Sequence, residues 1–133
     1  MAQLQCILVT PETTVLDQSC EFVAVPLFDG ELGIAPGHSP MIGRLGYGEL
    51  RIREGNVTRR FYIDGGFVQV AGNVVSVLTS RAVPAENLNP QAARDQLSMA
   101  RGRTANTPEL MAIRDRLEQQ ARAQIRVAQH AGK

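Results

Sequence analysis

The sequence predicts an α+β protein in which short strands come first and a helical hairpin follows. Up to Pro84, apolar and polar side chains alternate with period two, and turns recur at close spacing. This pattern is typical of a β-sandwich or flattened barrel and not of βαβ units. After Pro84, apolar residues recur at helical spacing, and Asn89-Pro90 and Thr107-Pro108 each give a helix start signal. Two helices with a short joint form an antiparallel hairpin.

The strands are predicted from alternation and turn signals. Residues 48–53 alternate strictly, and the turn at 54–56 returns the chain into residues 57–64. Gly65-Gly66 indicates a tight bend or a close backbone approach. The other predicted strands are residues 3–10, 13–16, 20–25, 31–34, 41–45, 67–70 and 74–78.

The hairpin carries a narrow, Ala-rich apolar stripe. Two such helices bury little apolar area between them at about 25 cal/mol per Å², so we expect them to pack on something else. A helix pair that depends on a second surface is a candidate moving part. We therefore predict two domains, residues 1–84 and residues 85–133.

Composition and charge exclude several classes of function. The net charge is +1, which argues against a chain that binds polyanions over its whole surface. The charge is uneven, because residues 1–84 carry a net −2 and residues 85–133 a net +3. No apolar run approaches the roughly 20 residues of a membrane span, and no secretory signal is visible. We expect an intracellular chain that is soluble by itself.

Candidate catalytic residues are few. Cys6 and Cys20 fit no metal-ligand spacing, and without an export signal they are expected to be buried free thiols. A Cys–His nucleophile would need one of these strand residues to reach His38. No phosphate-cradling Gly-x-x-x-x-Gly-Lys-Ser/Thr motif occurs. We expect no catalytic residue, no metal and no cofactor.

Residues 28–40 are the most distinctive stretch, reading Phe-Asp-Gly-Glu-Leu-Gly-Ile-Ala-Pro-Gly-His-Ser-Pro. Its glycines relax backbone limits and its prolines fix φ, which predicts a stiff surface turn. The stretch is either a tight connection between strands or a presented epitope that carries Asp29, Glu31 and His38.

The second helix has arginines that lie off its apolar stripe. Arg114, Arg122 and Arg126 fall near one another, and Glu118 supports Arg122 as an i,i+4 pair. They are either a solvated helix face or a surface that docks onto an acidic partner, since guanidinium groups suit carboxylates and phosphates. Nucleic acid is disfavoured because no aromatic stacking residues accompany them.

The whole layout resembles the epsilon subunit of the bacterial F-type ATP synthase. Residues 29–40 look like the signature of that family, and residues 62–70, Tyr-Ile-Asp-Gly-Gly-Phe-Val-Gln-Val, are similar to one of its strands. Residues 73–79 followed by the helical hairpin extend the match to nearly the full chain. The resemblance implies an antiparallel β-sandwich of about ten strands followed by two helices.

The resemblance also implies a function. The chain would be a non-catalytic rotor subunit that couples the ion-driven membrane ring to the gamma stalk for ATP synthesis. Its sandwich would bind gamma and the ring of c subunits through Asp29, Glu31 and His38. It would be peripheral, at the cytoplasmic face of the bacterial cell membrane, with no nucleic acid as partner.

In that family the hairpin folds on the sandwich or extends along gamma to the alpha/beta catalytic head, where it blocks ATP hydrolysis. Arg114, Arg116, Arg122 and Arg126 are the positions here that would meet an acidic loop of the beta subunit. Some members bind ATP through Ile/Leu-Asp-x-x-Arg-Ala at the first helix. Here Asn89 replaces the Asp and Ala92 the Arg, so weak or no ATP binding is expected.

Two other functions remain open from the residues alone. One is a free-standing nucleic-acid- or nucleotide-binding module that uses the Arg-rich second helix. The other is a small hydrolase that uses Cys20 and His38.

Overall fold

The computed structural model describes residues 3–131. Within them, strands are followed by a 3₁₀ turn and two α-helices, which confirms the α+β class. The strands are β1 (Leu4–Val9), β2 (Thr14–Cys20), β3 (Phe22–Leu27), β4 (Gly30–Ile34), β5 (Met41–Glu54), β6 (Val57–Ala71), β7 (Val74–Leu78) and β8 (Ala82–Pro84). The 3₁₀ turn is Ala85–Asn87, and the helices are α1 (Pro90–Arg101) and α2 (Pro108–Ala131).

The described residues form eight strands, and the expected count of about ten was too high. The reason is that β5 and β6 are each one long strand where two shorter ones were predicted. They pair in one constant register from Met41 opposite Val70 to Glu54 opposite Val57, with a gap at Gly46 and Gly65. Glycines near their middle bend these strands without ending them.

The sheet folds over on itself to make the two layers of the sandwich. One half of the β5–β6 pair continues into β7, β1 and β2, and the other half joins β3, β4 and β8. The bend in β6 lies at Gly65 and Gly66, whose φ angles are +73° and +112°. One neighbouring pair, β1 with β7, is parallel, so the sheet is mixed where an antiparallel one was expected. Parallel pairing is possible here because a long stretch of chain connects the two strands.

The core between the layers is aliphatic and closely packed, with side chains supplied by alternate positions of most strands. Leu4, Leu8 and Leu50 are fully or almost fully buried. The other fully or almost fully buried valine and isoleucine side chains of this core are Val23, Val25, Ile34, Ile52, Ile63, Val68, Val70, Val75 and Val77.

Both cysteines belong to this core as free thiols, as the sequence predicted. Burial raises the pKa of Cys6 to about 12, with Cys20 and Asp17 adding to the effect. Burial also raises the pKa of Cys20. A thiol whose pKa is raised holds little of the reactive thiolate near neutral pH.

We therefore expect neither cysteine to react with a thiol reagent in the folded chain at mildly alkaline pH. Both should react fully when guanidinium chloride unfolds the protein, and a spectrophotometric thiol assay measures each case. A Ser80→Cys variant, with its thiol on an exposed turn, is the positive control. Rapid labelling of the native chain would contradict the expectation.

The hairpin is docked on the sandwich through α2. This helix packs against β5, β6 and the 3₁₀ turn, whereas α1 packs chiefly against α2. The predicted helix starts are confirmed, because Asn89 Oδ1 accepts hydrogen bonds from the backbone N–H groups of Gln91 and Ala92. At the start of α2, Thr107 Oγ1 accepts from the Leu110 N–H at 3.1 Å.

Candidate functional site

An apolar contact holds the C-terminal half of α2 to the sandwich. The contact consists of Tyr62, Ala85, Ala123 and Val127, all buried, with Tyr47 and Leu88 packed at its margin. Ala123 has no exposed surface, and its small side chain lets the helix backbone approach the sheet closely. The contact is limited in area and separate from the sandwich core.

A buried carboxylate anchors the last turn of α2. The side chain of Glu49 on β5 is only 7% exposed and accepts from Arg60 Nη1 at 2.8 Å and from Arg51 Nη1 at 3.4 Å. His130 of α2 donates from Nδ1 to the other carboxylate oxygen at 3.1 Å. A buried carboxylate requires such partners, because an unpaired charge is costly in an apolar interior. We call Glu49, Arg51, Arg60 and His130 the Glu49 cluster.

A second polar contact lies at Asp64 on β6, two residues along from Tyr62, which is opposite Glu49. Its Oδ1 accepts from Gln120 Nε2 of α2 at 2.9 Å and from the Tyr62 hydroxyl at 3.2 Å. Burial, together with the Asp64 carboxylate, raises the pKa of Tyr62, so the hydroxyl remains protonated and able to donate. Helix α2 is thus held by two acidic groups of the sandwich and one small apolar contact.

The predicted epitope of residues 28–40 is divided into two surfaces. Asp29 is exposed in the turn before β4, and Glu31 on β4 forms an ion pair with Arg51 at 2.8 Å. His38 follows the other end of β4, which extends about 10 Å beyond Glu31 at the usual rise of a strand. Glu31 lies beside α2 and lines the same cleft as Arg126. The turn therefore does not present its three polar side chains together.

The arginines of α2 do not form one continuous face. Arg122 and Arg126 are exposed and, with Arg44, line a cleft of about 680 Å³ between α2 and the bend of the sheet. The predicted pair is present, with Arg122 Nη2 at 3.7 Å from Glu118 Oε2.

The two earlier arginines lie nearer the start of α2. Arg116 is exposed, and Arg114 is partly buried. Arg114 has Asp115 Oδ1 at 3.8 Å from its Nε, and this Nε lacks a hydrogen-bond partner among the described residues.

Sequence reasoning missed an exposed apolar face on the outside of one layer. Ile42 is 74% exposed, Phe67 58% and Leu78 50%. Phe67 and Leu78 are directly opposite each other on β6 and β7, and Val74 is exposed at the start of β7. We call Ile42, Phe67, Val74 and Leu78 the apolar face. The sequence did contain a signal for this face. Phe67 and Leu78 alternate with core residues on the same strands, so strand periodicity places them on the outer side of the sheet.

Residues 3–131 contain neither a cluster of metal-ligating side chains nor a helix that could span a membrane. In this part of the chain, no group of three or more His, Cys, Asp or Glu side chains is arranged to hold a metal ion. None of the helices described is long and apolar enough to cross a membrane.

Comparison with protein families and relatives gives a consistent result. The family model for the β-sandwich domain of the ATP synthase delta/epsilon chain matches residues 3–85. The ATP synthase epsilon chain of Rhodopirellula baltica is 46% identical over 125 residues, which cover 94% of this chain and 98% of that relative. The ATP synthase epsilon chain of Granulibacter bethesdensis is 36% identical over 135 residues, covering 98% of this chain and all of that relative.

Solved structures share the fold. A chain of the Euglena gracilis mitochondrial ATP synthase, determined by cryo-EM, matches with a TM-score of 0.85 at 21% identity, covering 99% of this chain and 82% of that chain. A chain from the central stalk and c-ring of the Tetrahymena thermophila enzyme matches with a TM-score of 0.75 at 17% identity, covering 94% and 96%. The free-standing nucleic-acid- or nucleotide-binding module is not supported by these matches. The chain therefore belongs to the ATP synthase epsilon chain family, as an accessory subunit and not a catalytic one, in agreement with the resemblance of residues 29–40.

Proposed function

We propose that this chain is the rotor subunit that couples the ion-driven ring of c subunits to the gamma stalk, at the cytoplasmic face of the bacterial cell membrane. The observation that carries the proposal is the apolar face. Phe67 and Leu78 lie side by side, with Ile42 and Val74 on the same side of the sheet, and large apolar side chains exposed together in this way are typical of a surface that a partner covers. The family to which the chain belongs makes that partner another subunit of the ATP synthase.

The gamma subunit covers the apolar face. Exposed aromatic and aliphatic side chains on a flat sheet give a large contact area at little entropic cost, because the strands already hold them in place. Arg44, opposite Phe67 on β5, provides a polar border that orients the partner. Such a central apolar patch with a charged rim is the usual anatomy of a protein interface.

Replacing Phe67 with glutamate is expected to weaken binding to the gamma subunit by about 100-fold, the range of a central interface residue. The charged side chain would stay hydrated on the free chain, so thermal unfolding should change little. Titration calorimetry with purified gamma and circular dichroism measure the two effects. Val57→Glu is the matched control, because Val57 is 62% exposed but lies at the far end of β6, next to the β5–β6 turn. Equal binding by the two variants would exclude the apolar face as the docking surface.

The polar residues of the turn divide between the two partners. Asp29 and Glu31 contact the polar loops of the c-ring, with Glu31 already oriented by Arg51. His38 contacts gamma, since the loop that carries it leads directly into Ile42 of the apolar face. Two separate contacts on one stiff domain let rotation of the ring reach gamma.

Residues 85–133 act as a regulatory domain, and residues 1–84 as the rotor-binding domain. The docked hairpin does not inhibit the enzyme, and a small apolar contact and two acidic groups hold it in this state. Once released, α2 extends along gamma to the alpha/beta head, where Arg114, Arg116, Arg122 and Arg126 meet an acidic loop of beta and oppose ATP hydrolysis. Exposed guanidinium groups suit that role because they donate to carboxylates in a planar geometry.

Nucleotide does not control this release. Asn89 replaces the acidic residue of the family motif, and its side-chain oxygen is occupied by capping α1. We therefore expect millimolar ATP to leave the amide resonances of α1 and α2 in place in an NMR titration. A saturable shift of those resonances would show that the chain binds ATP after all.

A further inference from the structure

The loop between β4 and β5 has a backbone N–H that its own turn leaves free. Residues 35–38 form a β-turn in which the His38 N–H donates to the Ala35 carbonyl at 3.1 Å. Pro36 precedes Gly37, whose φ is +87°, as a type II turn requires. The turn's own hydrogen bond does not use the Gly37 N–H, and such a group needs a partner from elsewhere.

Asn73 supplies that partner from the turn between β6 and β7. Its Oδ1 accepts from the Gly37 N–H at 2.8 Å. Its backbone carbonyl also accepts from the Gln5 N–H at 2.9 Å. One residue thus connects the 35–40 loop, the start of β1 and the β6–β7 turn, which are far apart in the sequence.

The backbone of Asn73 adopts a left-handed conformation, which costs free energy for asparagine and which glycine would adopt without that cost. Its φ is +62°, and among residues 3–131 it is the one non-glycine residue with positive φ. With Gly72 at φ +57° it forms a two-residue hairpin turn of the type that favours Asn-Gly or Gly-Gly. Here the order is Gly-Asn. Asparagine in the second position places an amide within reach of Gly37.

We infer that Asn73 is a positioning residue for the docking surface. Its hydrogen bond to Gly37 holds the loop that carries His38 next to the residue before Val74, and the same loop leads into Ile42. The inference rests on the proposed function, in which His38 and the apolar face contact gamma. A loop ordered before binding loses less entropy when the partner docks, so this hydrogen bond strengthens the complex without touching gamma.

Three variants of the full chain test the role. Asn73→Gly keeps the positive φ and removes the acceptor, whereas Asn73→Asp keeps an acceptor oxygen and tolerates the same backbone. His38→Ala reports whether the loop contacts gamma at all. Hydrogen exchange of the Gly37 amide by NMR measures the ordering of the loop, calorimetry measures affinity for purified gamma, and thermal unfolding checks the fold.

We expect the ordering of the loop and the affinity for gamma to change together. In Asn73→Gly, the Gly37 amide should exchange about tenfold faster and gamma should bind about three- to tenfold more weakly, the range set by one net hydrogen bond. Asn73→Asp should restore both values. His38→Ala should weaken binding while leaving Gly37 exchange near the wild-type rate. If the role of Asn73 were purely structural, Asn73→Gly would lower the melting temperature, and Asn73→Asp would not restore the affinity for gamma.

Two outcomes would overturn the inference. If Gly37 exchange is unchanged in Asn73→Gly, the hydrogen bond does not order the loop. If exchange accelerates but gamma affinity is unchanged, Asn73 does not position the docking surface. In that second case His38→Ala separates the causes: weaker binding keeps His38 as a contact, and unchanged binding removes the proposed contact itself.

Discussion

Replacing Gly66 with alanine is expected to lower the free energy of unfolding by about 4 kcal/mol or more, an effect reserved for severe backbone and packing clashes. A Cβ at this position would lie 1.9 Å from the Leu78 carbonyl oxygen, and φ is +112°. The obstacle is backbone in the neighbouring strand, so no side-chain rotation relieves it. The β6–β7 pairing would have to separate where the sheet bends between its layers.

Gly72→Ala is the matched control for this prediction. Gly72 also has positive φ, at +57°, but its Cβ would meet nothing within 4 Å. It should therefore cost only about 1 kcal/mol, the ordinary penalty of a left-handed backbone. Urea unfolding followed by circular dichroism measures both variants. Similar stabilities would mean that β6 and β7 can shift apart at the bend.

Replacing Ala123 with glutamate is expected to detach α2 while the sandwich stays folded. Ala123 is fully buried against Tyr62, and a carboxylate there would have no room and no partner. The core between the layers does not include this position. Amide exchange in α2 should accelerate by about 100-fold, as expected when a docked element opens locally, and exchange in β5 and β6 should not. Ala112→Glu, on an exposed part of the same helix, should change neither.

The same variant tests regulation in the assembled ATP synthase. If a released hairpin opposes hydrolysis, Ala123→Glu should lower the ATPase rate, because the hairpin can no longer dock on the sandwich and is free to extend. Deleting residues 85–133 should raise the rate and keep assembly, because no hairpin remains to reach the catalytic head. The two changes must have opposite signs. A shift in the same direction would exclude the hairpin as an inhibitor, and failed assembly of the deletion would argue against two domains.

Local patterns in the sequence predict much of this fold. Alternation identified most strands, and Asn89 and Thr107 marked both helix starts because capping depends on adjacent residues alone. The buried thiols also followed from their strand positions. These features need no knowledge of which strand lies beside which.

Features that depend on distant partners could not be predicted. The Glu49–His130 contact joins residues 81 positions apart, and neither side chain carries a local sign of it. The parallel pairing of β1 with β7 likewise depends on how the sheet folds over. Helix α2 buries Ala123 and Val127 because the direction of docking is set by Tyr62 on the sandwich. The separation of Glu31 from His38 could not be predicted either, because it depends on the extended strand β4 that lies between them.

The long β5–β6 pair, which keeps one register through the bend, gives the sandwich a mechanical property. Because these two strands run through both layers, a force applied to either layer passes to the other through covalent backbone and ladder hydrogen bonds. Side chains packed between separate sheets would slide under such a load, whereas a continuous ribbon resists it in shear. We therefore expect the sandwich to transmit a force between its layers with little internal deformation.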